Sequence, residues 1–337
     1  MAGEKAVVVG AGGISNAWFG PLAKENVQVV GVVDINLDAA KEKIAKYGLA
    51  CKPSTKLLAT LRKTQPDFVV DLTVPEAHCK VTCAALMAGL PVIGEKPMAA
   101  SMREARRMVA CSEATGKLYM VSQSRRWDAK HELVQRVLSG GAIGKLTTIN
   151  CDFYIGAHFG GFRDAMPSPL ILDMAIHHFD MCRYMTGADP VAVYAREFNP
   201  AGSWYAGDVS ASCIFEMSNG TVFNYRGSWC SEGCHTSWNG DWRFIGERGS
   251  LLYEHDKLPY GQVVNGDSGF HRPMKDVEAS APTLEFTGMH GALREMLEFL
   301  RTGKKPQTEC HDNIKSLAMV FAVIESNKKG RKVPVKA

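Results

Sequence analysis

Asp173, His177 and Asp180 recur at i, i+4 and i+7 within an apolar run that also holds Ile171, Leu172, Met174, Ile176, Phe179 and Met181. On one α-helix that spacing puts all three on a single face. Carboxylates and imidazoles among apolar neighbours are costly unless paired or employed, and imidazole exchanges protons near neutrality. The set fits proton abstraction from a hydroxyl, with His177 as general base and Asp173 as its hydrogen-bonded or substrate-binding partner. Asp180 either joins them or ties the helix into the fold; His178 points off the shared face. Far upstream, Gly10-Ala-Gly12-Gly13-Ile14-Ser15 has the pattern of a phosphate-binding turn. Gly10 allows the tight turn, Gly12 lets backbone approach a pyrophosphate, and the following helix offers its first N–H groups to the phosphate charge. Ser15 stands where such turns usually carry Gly or Ala, and its small size still permits close packing. Asp34 lies about 20 residues on, where a carboxylate accepts from ribose hydroxyls and repels a 2′-phosphate. Ile35 and Asn36 supply no arginine to receive one, so the pattern selects NAD over NADP. Nicotinamide beside a proton acceptor is the chemistry of hydride transfer.

These residues need a scaffold. An apolar strand at 5–9 precedes the glycine turn. After it, Ile14, Ala17, Trp18, Pro21 and Leu22 fall at helical spacing, with Pro21 expected to distort the helix. A strand over 27–33 then ends at Asp34. Helices over 37–47 and 76–87 alternate with strands over 67–73, 91–94 and 117–122, and Ser101-x-x-Glu104 is a capping box opening one more helix. This alternation predicts a doubly wound parallel sheet, with ligands beyond the carboxyl ends of its strands. Thr73-Val-Pro75 and Glu95-Lys96-Pro97 fall at two such ends. Downstream the pattern changes to strands over 145–155, 190–198, 208–217 and 221–229, with hairpin signals at Asn219-Gly220 and Glu247-Arg248-Gly249. Helices over 284–301 and 312–327 follow. Residues 256–283 read as an irregular loop at the active site or at a subunit contact.

The 337 residues suit two domains. A net charge of +4 does not point to nucleic acid, and the basic cluster at Lys328 to Lys332 reads as a solvated tail. No apolar run is long enough to span a membrane, and Met1 to Lys5 lead straight into the first strand without the apolar stretch of an export signal. The sequence therefore predicts a cytoplasmic protein. Its ten cysteines include no Cys-x-x-Cys pair, so no metal is expected and the thiols read as reduced and scattered.

Four motifs carry a family resemblance: Gly10 to Ser15, Thr73-Val-Pro75-Glu-Ala-His78, Glu95-Lys96-Pro97, and Leu172-Asp173-Met-Ala-Ile-His177-His-Phe-Asp180. In this order they resemble the Gfo/Idh/MocA oxidoreductases, whose members include glucose–fructose oxidoreductases and inositol dehydrogenases. The motifs run to about residue 187; beyond it the likeness is one of general pattern, and Ala175 stands where the family often has Gly. The resemblance implies an α/β protein with a Rossmann NAD-binding domain over 1–124. Over 125–337 it implies a substrate-binding and oligomerisation domain built on a large, mainly antiparallel sheet, assembled as a homodimer or homotetramer. It further implies that Lys96 holds the substrate oxygen and contacts the cofactor ribose, and that Thr73, Pro75, His78, Glu95 and Gln123 border the cofactor. Arg126, at a junction near nicotinamide and substrate, either binds a substrate hydroxyl or carboxylate or makes a structural ion pair. His158, Trp229, His235, Trp238 and Asn239 are further pocket candidates, because aromatics with polar tips suit sugar faces as well as sheet packing. The implied reaction moves a hydride between nicotinamide and a secondary hydroxyl or ketone of a sugar, polyol or glycoside. Two alternatives use the same cofactor: a glycosidase or lyase that keeps NAD bound and oxidises the sugar transiently, and a non-catalytic NAD-dependent sugar sensor. A sensor has no need of Lys96, Asp173 and His177.

Overall fold

The computed structural model describes residues 3–337; Met1 and Ala2, which the expected 1–124 domain includes, lie outside the described residues. The chain forms two compact units. One takes the chain up to Trp127 together with Glu285–Leu317, and the other takes Asp128–Leu284 with Ala318–Ala337.

In the first unit β1 (Lys5–Val9), α1 (Asn16–Lys24), β2 (Gln28–Val33), α2 (Leu37–Lys46), β3 (Lys52–Ser54), α3 (Leu57–Thr64), β4 (Phe68–Asp71), α4 (Pro75–Met87), β5 (Val92–Glu95), α5 (Met102–Thr115) and β6 (Tyr119–Ser122) alternate as expected. The strands lie in the order β3-β2-β1-β4-β5-β6, all parallel. Both faces are covered, so β1 is buried from Ala6 to Val9 instead of alternating. Asn36 caps α2 by accepting from the N–H groups of Asp38 and Ala39, and Ser101 caps α5 by accepting from Glu104. The sequence reading missed β3 and α3. The strand is the short edge segment Lys-Pro-Ser, which has no apolar run to find. The expected distortion at Pro21 does not end α1, which runs through it and buries Trp18, Phe19 and Leu22.

The second unit contains α6 (Ala129–Ser139), β7 (Leu146–Tyr154), a π-helical stretch over Leu170–Ala175 that runs into α7 (Ile176–Thr186), β8 (Pro190–Phe198), β9 (Ser210–Met217), β10 (Val222–Ser228), β11 (Asp241–Gly246), β12 (Gly249–Tyr253), β13 (Tyr260–Val264) and β14 (Met274–Asp276). Two further helices, α8 (Gly288–Thr302) and α9 (Cys310–Lys329), precede the short β15 (Val333–Pro334). The second sheet has nine strands in the order β14-β13-β12-β11-β7-β10-β9-β8-β15. Its pairs are antiparallel except β7 with β10. The expected hairpin at Asn219-Gly220 joins β9 to β10, with Gly220 at φ +83. The region 256–283 is not all loop: β13 and β14 extend the sheet edge from β12. Both are short, and the sequences Tyr-Gly-Gln-Val-Val and Met-Lys-Asp lack the apolar alternation that marks a half-buried strand. Phe179 of α7 packs on Phe215, Phe223 and Tyr225 of the sheet. The other face exposes Val191, Tyr194, Phe198, Ile214 and Val222, with Tyr194 and Ile214 direct partners across β8 and β9.

The first stretch of the first unit ends at Trp127, near the expected 124, but α8 lies with this unit and not with the residues that precede it. Its Ala292, Leu293, Met296 and Leu297 join a core with Val8, Trp18, Phe19 and Trp127, and a Cβ at Gly291 would lie 2.4 Å from the Trp127 ring. The amphipathic period of α8 was legible, but an apolar stripe does not say which sheet it will cover. Among the described residues no helix is long and apolar enough to cross a membrane.

Glu197 of β8 makes one pH effect explicit. It is buried, Ser168 is its hydrogen-bonding side chain, and burial pushes its carboxyl up from 4.5 to about 7. The folded chain therefore holds this proton more tightly than the unfolded chain, and stability falls as pH rises from about 4.5 through about 7. At about 1.4 kcal/mol per pKa unit the whole effect is on the order of 3 kcal/mol. Glu197→Gln should flatten this slope and be more stable than wild type at pH 8, measured by urea unfolding across the range.

Candidate functional site

The glycine turn sits where the first sheet reverses its strand order, between β1 and β4. Gly10 has φ +98, and a Cβ there would lie 2.5 Å from the Leu72 carbonyl oxygen at the end of β4. Gly12 and Gly13 are different, since a Cβ at either meets nothing within 4 Å. A single 3-10 turn over Gly13–Ser15 follows, and no side chain caps it. Ser15 is buried and its hydroxyl donates to the Gly12 carbonyl at 2.7 Å, which holds the turn from beneath. Asp34 follows β2; its carboxylate accepts from the Ala11 N–H at 2.6 Å and the Asn36 N–H at 2.7 Å, fixing it beside the turn. Open space above two glycines, an uncapped helical start and a pre-set carboxylate fit a dinucleotide. Gly12, Gly13, Ile14 and Ser15 would hold the pyrophosphate and Asp34 the adenosine ribose. Asp34→Ala should reduce the preference for NADH over NADPH by on the order of 100-fold, since charge-assisted hydrogen bonds and phosphate repulsion are both lost. Fluorescence titration of both cofactors checks this.

The motifs after β4 and β5 are tied to each other. His78 of α4 is buried, with Nδ1 3.0 Å from the Pro97 carbonyl oxygen and Nε2 2.9 Å from that of Thr73. Both ring nitrogens of His78 face backbone, so it fastens the Thr73 turn to the Glu95-Lys96-Pro97 turn. The Thr73 hydroxyl donates to Asp71 at 2.6 Å, and Asp71 also accepts from Thr82. Pro75 opens α4 at its first turn. Glu95 accepts from the Trp18 indole at 2.8 Å and from the Lys96 N–H at 3.1 Å, while burial raises its carboxyl pKa. The sequence reading did not find the Trp18 bond, which joins positions 77 residues apart. Gln123 is fully buried after β6. Of the two roles open to Arg126, the structure has the ion pair: its guanidinium donates to Asp312 at 2.7 Å and to the Gln307 carbonyl at 3.0 Å. Those bonds hold the start of α9.

In the second unit Asp173 lies in the π-helical stretch and His177 near the start of α7. The one-face argument for Asp173, His177 and Asp180 assumed continuous α geometry, and the i→i+5 bonding of a π-helix shifts Asp173 relative to the other two. His177 is buried. Asp180 is fully buried with Arg183 at 3.8 Å, which fits the role of tying the helix into the fold. Asp173 receives a bond from Arg163 Nε at 2.6 Å, a partner the sequence reading did not name. Arg163 ends the sequence Phe159-Gly-Gly-Phe-Arg, which has no periodicity to place it. Around this pair lie several of the aromatic candidates. Phe159 contacts Trp229 and Trp238 at ring centroid distances of 5.1 and 6.1 Å. His158 stacks on Trp204 at 3.7 Å and pairs with Glu232, and His235 accepts from the Gly156 N–H. Asn239 is structural, with its amide donating to Asp256 and its carbonyl accepting from Trp242. A cavity of about 610 Å³ lies elsewhere in this unit, bordered by Arg248, Asn265, Lys275 and Glu278, and holds none of the expected site residues.

A glycine turn at the switch point of a six-stranded parallel sheet, with a carboxylate after its second strand, defines an NAD-binding oxidoreductase of Rossmann fold. Residues 5–123 match the family model described as "Oxidoreductase family, NAD-binding Rossmann fold", and residues 131–252 match the GFO/IDH/MocA C-terminal domain. The chain belongs to the GFO/IDH/MocA family of NAD-dependent dehydrogenases and reductases acting on CH–OH groups. It is 28% identical to an uncharacterized protein of Sinorhizobium fredii, over 98% of this chain and 95% of that one. It is 26% identical to the D-apiose dehydrogenase of Paraburkholderia graminis, over 83% and 76%. Among solved structures, an oxidoreductase from Agrobacterium radiobacter in complex with NAD+, L-tartaric acid and magnesium has the same fold, with TM-score 0.86, 21% identity and 98% of each chain covered.

Proposed function

We propose that the protein transfers a hydride between NAD and a secondary hydroxyl or ketone of a sugar, polyol or glycoside. Bound NAD+ supplies the hydride acceptor. In oxidation His177 takes the hydroxyl proton, Asp173 binds substrate or orients His177, and Lys96 holds the substrate oxygen as negative charge develops on it. The observation that carries this reading is the placement of Asp173 and buried His177 at a π-to-α junction in the unit that also presents Phe159 and Trp238. Aromatic faces of this kind suit sugar rings. The D-apiose dehydrogenase among the relatives supports a carbohydrate substrate. We assign the second unit to substrate binding, and to assembly of a homodimer or homotetramer through the apolar outer face of β8 and β9.

The test is NADH absorbance while the purified protein and NAD+ meet a panel of inositols, free sugars and glycosides. A rise specific to one substrate class is the expected result. A flat trace from protein that binds NADH overturns net hydride transfer and leaves glycoside cleavage without NADH release as the next assay.

A further inference from the structure

Arg163 is the arginine that the second unit sets against Asp173. It sits at the end of a single 3-10 turn, Gly161–Arg163, in the loop between β7 and the π-helical stretch. Nε donates to Asp173 Oδ2 at 2.6 Å, and among the described residues its two terminal nitrogens make no hydrogen bond. The side chain is 32% exposed. The Phe159 and Phe162 rings lie against the guanidinium, 4.9 and 4.8 Å from its carbon to their centroids. Both contacts are within cation–π range. Asp173 at one edge fixes the plane, and Gly160 and Gly161, at φ +69 and +68, shape the loop that presents it. An arginine bonded through Nε, set against two aromatic rings and with no hydrogen bond at Nη1 or Nη2 among the described residues has the donor pair that meets a planar oxyanion through two parallel bonds. The Asp173 carboxylate is already matched by Nε. A second anion at the far edge completes the donor set and leaves the Asp173 bond in place.

We propose that Arg163 is an anion-recognising residue of the substrate site, and that the preferred substrate is an acidic sugar bearing a carboxylate. This rests on the assignment of Asp173 to the substrate site. It narrows the substrate class from any polyol to one carrying a fixed negative charge, with Phe159 and Trp238 presenting aromatic faces to the ring.

The experiment compares matched sets of hexose, hexuronate and hexose 6-phosphate in the gluco, galacto and manno series, using full-length protein with NAD+. It uses wild type, Arg163→Met and Arg163→Lys. The quantity read is the ratio of kcat/KM for the acidic sugar to that for its neutral counterpart, in which any general effect on Asp173 cancels. Calorimetry of the same sugars with NADH-loaded protein runs in parallel. The expected ratio for hexuronate is about 10 to 100 in wild type, the range a charge-assisted hydrogen bond carries. It should fall to near 1 in Arg163→Met and be partly kept in Arg163→Lys. A preference for the phosphate that is likewise lost in Arg163→Met assigns the same subsite to a sugar phosphate. Equal use of acidic and neutral sugars by wild type, or a preference that survives Arg163→Met, overturns the proposal and leaves the dehydrogenase reading standing. If no sugar turns over, calorimetric selection of the acidic sugar that disappears in Arg163→Met upholds the subsite while hydride transfer fails. Its absence in wild type overturns the subsite.

Discussion

His177→Ala is expected to lower kcat for NADH-linked sugar oxidation by about 10²- to 10⁴-fold, the range for loss of a positioned general base. NADH binding should change little, because the turn that cradles the cofactor is built from Gly10 to Ser15 and Asp34 in the first unit. The base must be unprotonated to accept the hydroxyl proton. Wild-type kcat/KM for oxidation should therefore rise with pH and level off. In the alanine variant that acid limb should vanish, and added imidazole should restore part of the rate. Steady-state kinetics from pH 5 to 9 with an NADH fluorescence titration read all three effects. An unchanged limb in the variant would move the base to another group. A parallel loss of NADH binding would mean that the fold, not the chemistry, had been damaged.

The second large effect separates two glycines that look alike in sequence. At Gly10 an added methyl meets the Leu72 carbonyl at 2.5 Å, and the backbone stands at φ +98. Overpacking and forced left-handed geometry each cost about 1–3 kcal/mol. Gly10→Ala should therefore lose roughly 2–6 kcal/mol, lower the unfolding midpoint by at least ~4 °C, and displace the turn enough to weaken NADH binding. At Gly12 the methyl meets nothing within 4 Å. Gly12→Ala should leave the unfolding midpoint near wild type yet weaken NADH about 10-fold or more, because the methyl takes the space where backbone approaches the pyrophosphate. Thermal unfolding and NADH titration on the same two variants check the contrast. Equal loss of stability in both would refute the division between a fold-making and a ligand-facing glycine.

What the sequence made legible follows from how local each signal is. The β1–turn–α1–β2 unit was readable because a buried strand, three glycines and a carboxylate are fixed within 30-odd neighbouring residues. Asp173 and His177 stood out because charge in an apolar run is costly. Arg163 was invisible because its bond to Asp173 depends on a loop between two elements, and nothing in Gly-Gly-Phe-Arg fixes that loop's path. His78 sits in a ligand-edge motif, and only three dimensions reveal that carbonyls of Thr73 and Pro97 face both its nitrogens. The same limit hid the destination of α8, and it let two short edge strands pass for loop.

The return of α8 to the first unit bears on how the chain is made. Val8, Trp18 and Phe19 are made first, and even Trp127 leaves the ribosome about 170 residues before Leu297 completes their core, a delay on the order of 10–30 s at ordinary rates of synthesis. Throughout that interval the nascent Rossmann segment carries an uncovered apolar side, while the whole of β7 to β14 is added behind it. A chaperone that holds apolar surface on emerging chains has its longest opportunity here, and release from it should coincide with synthesis of α8.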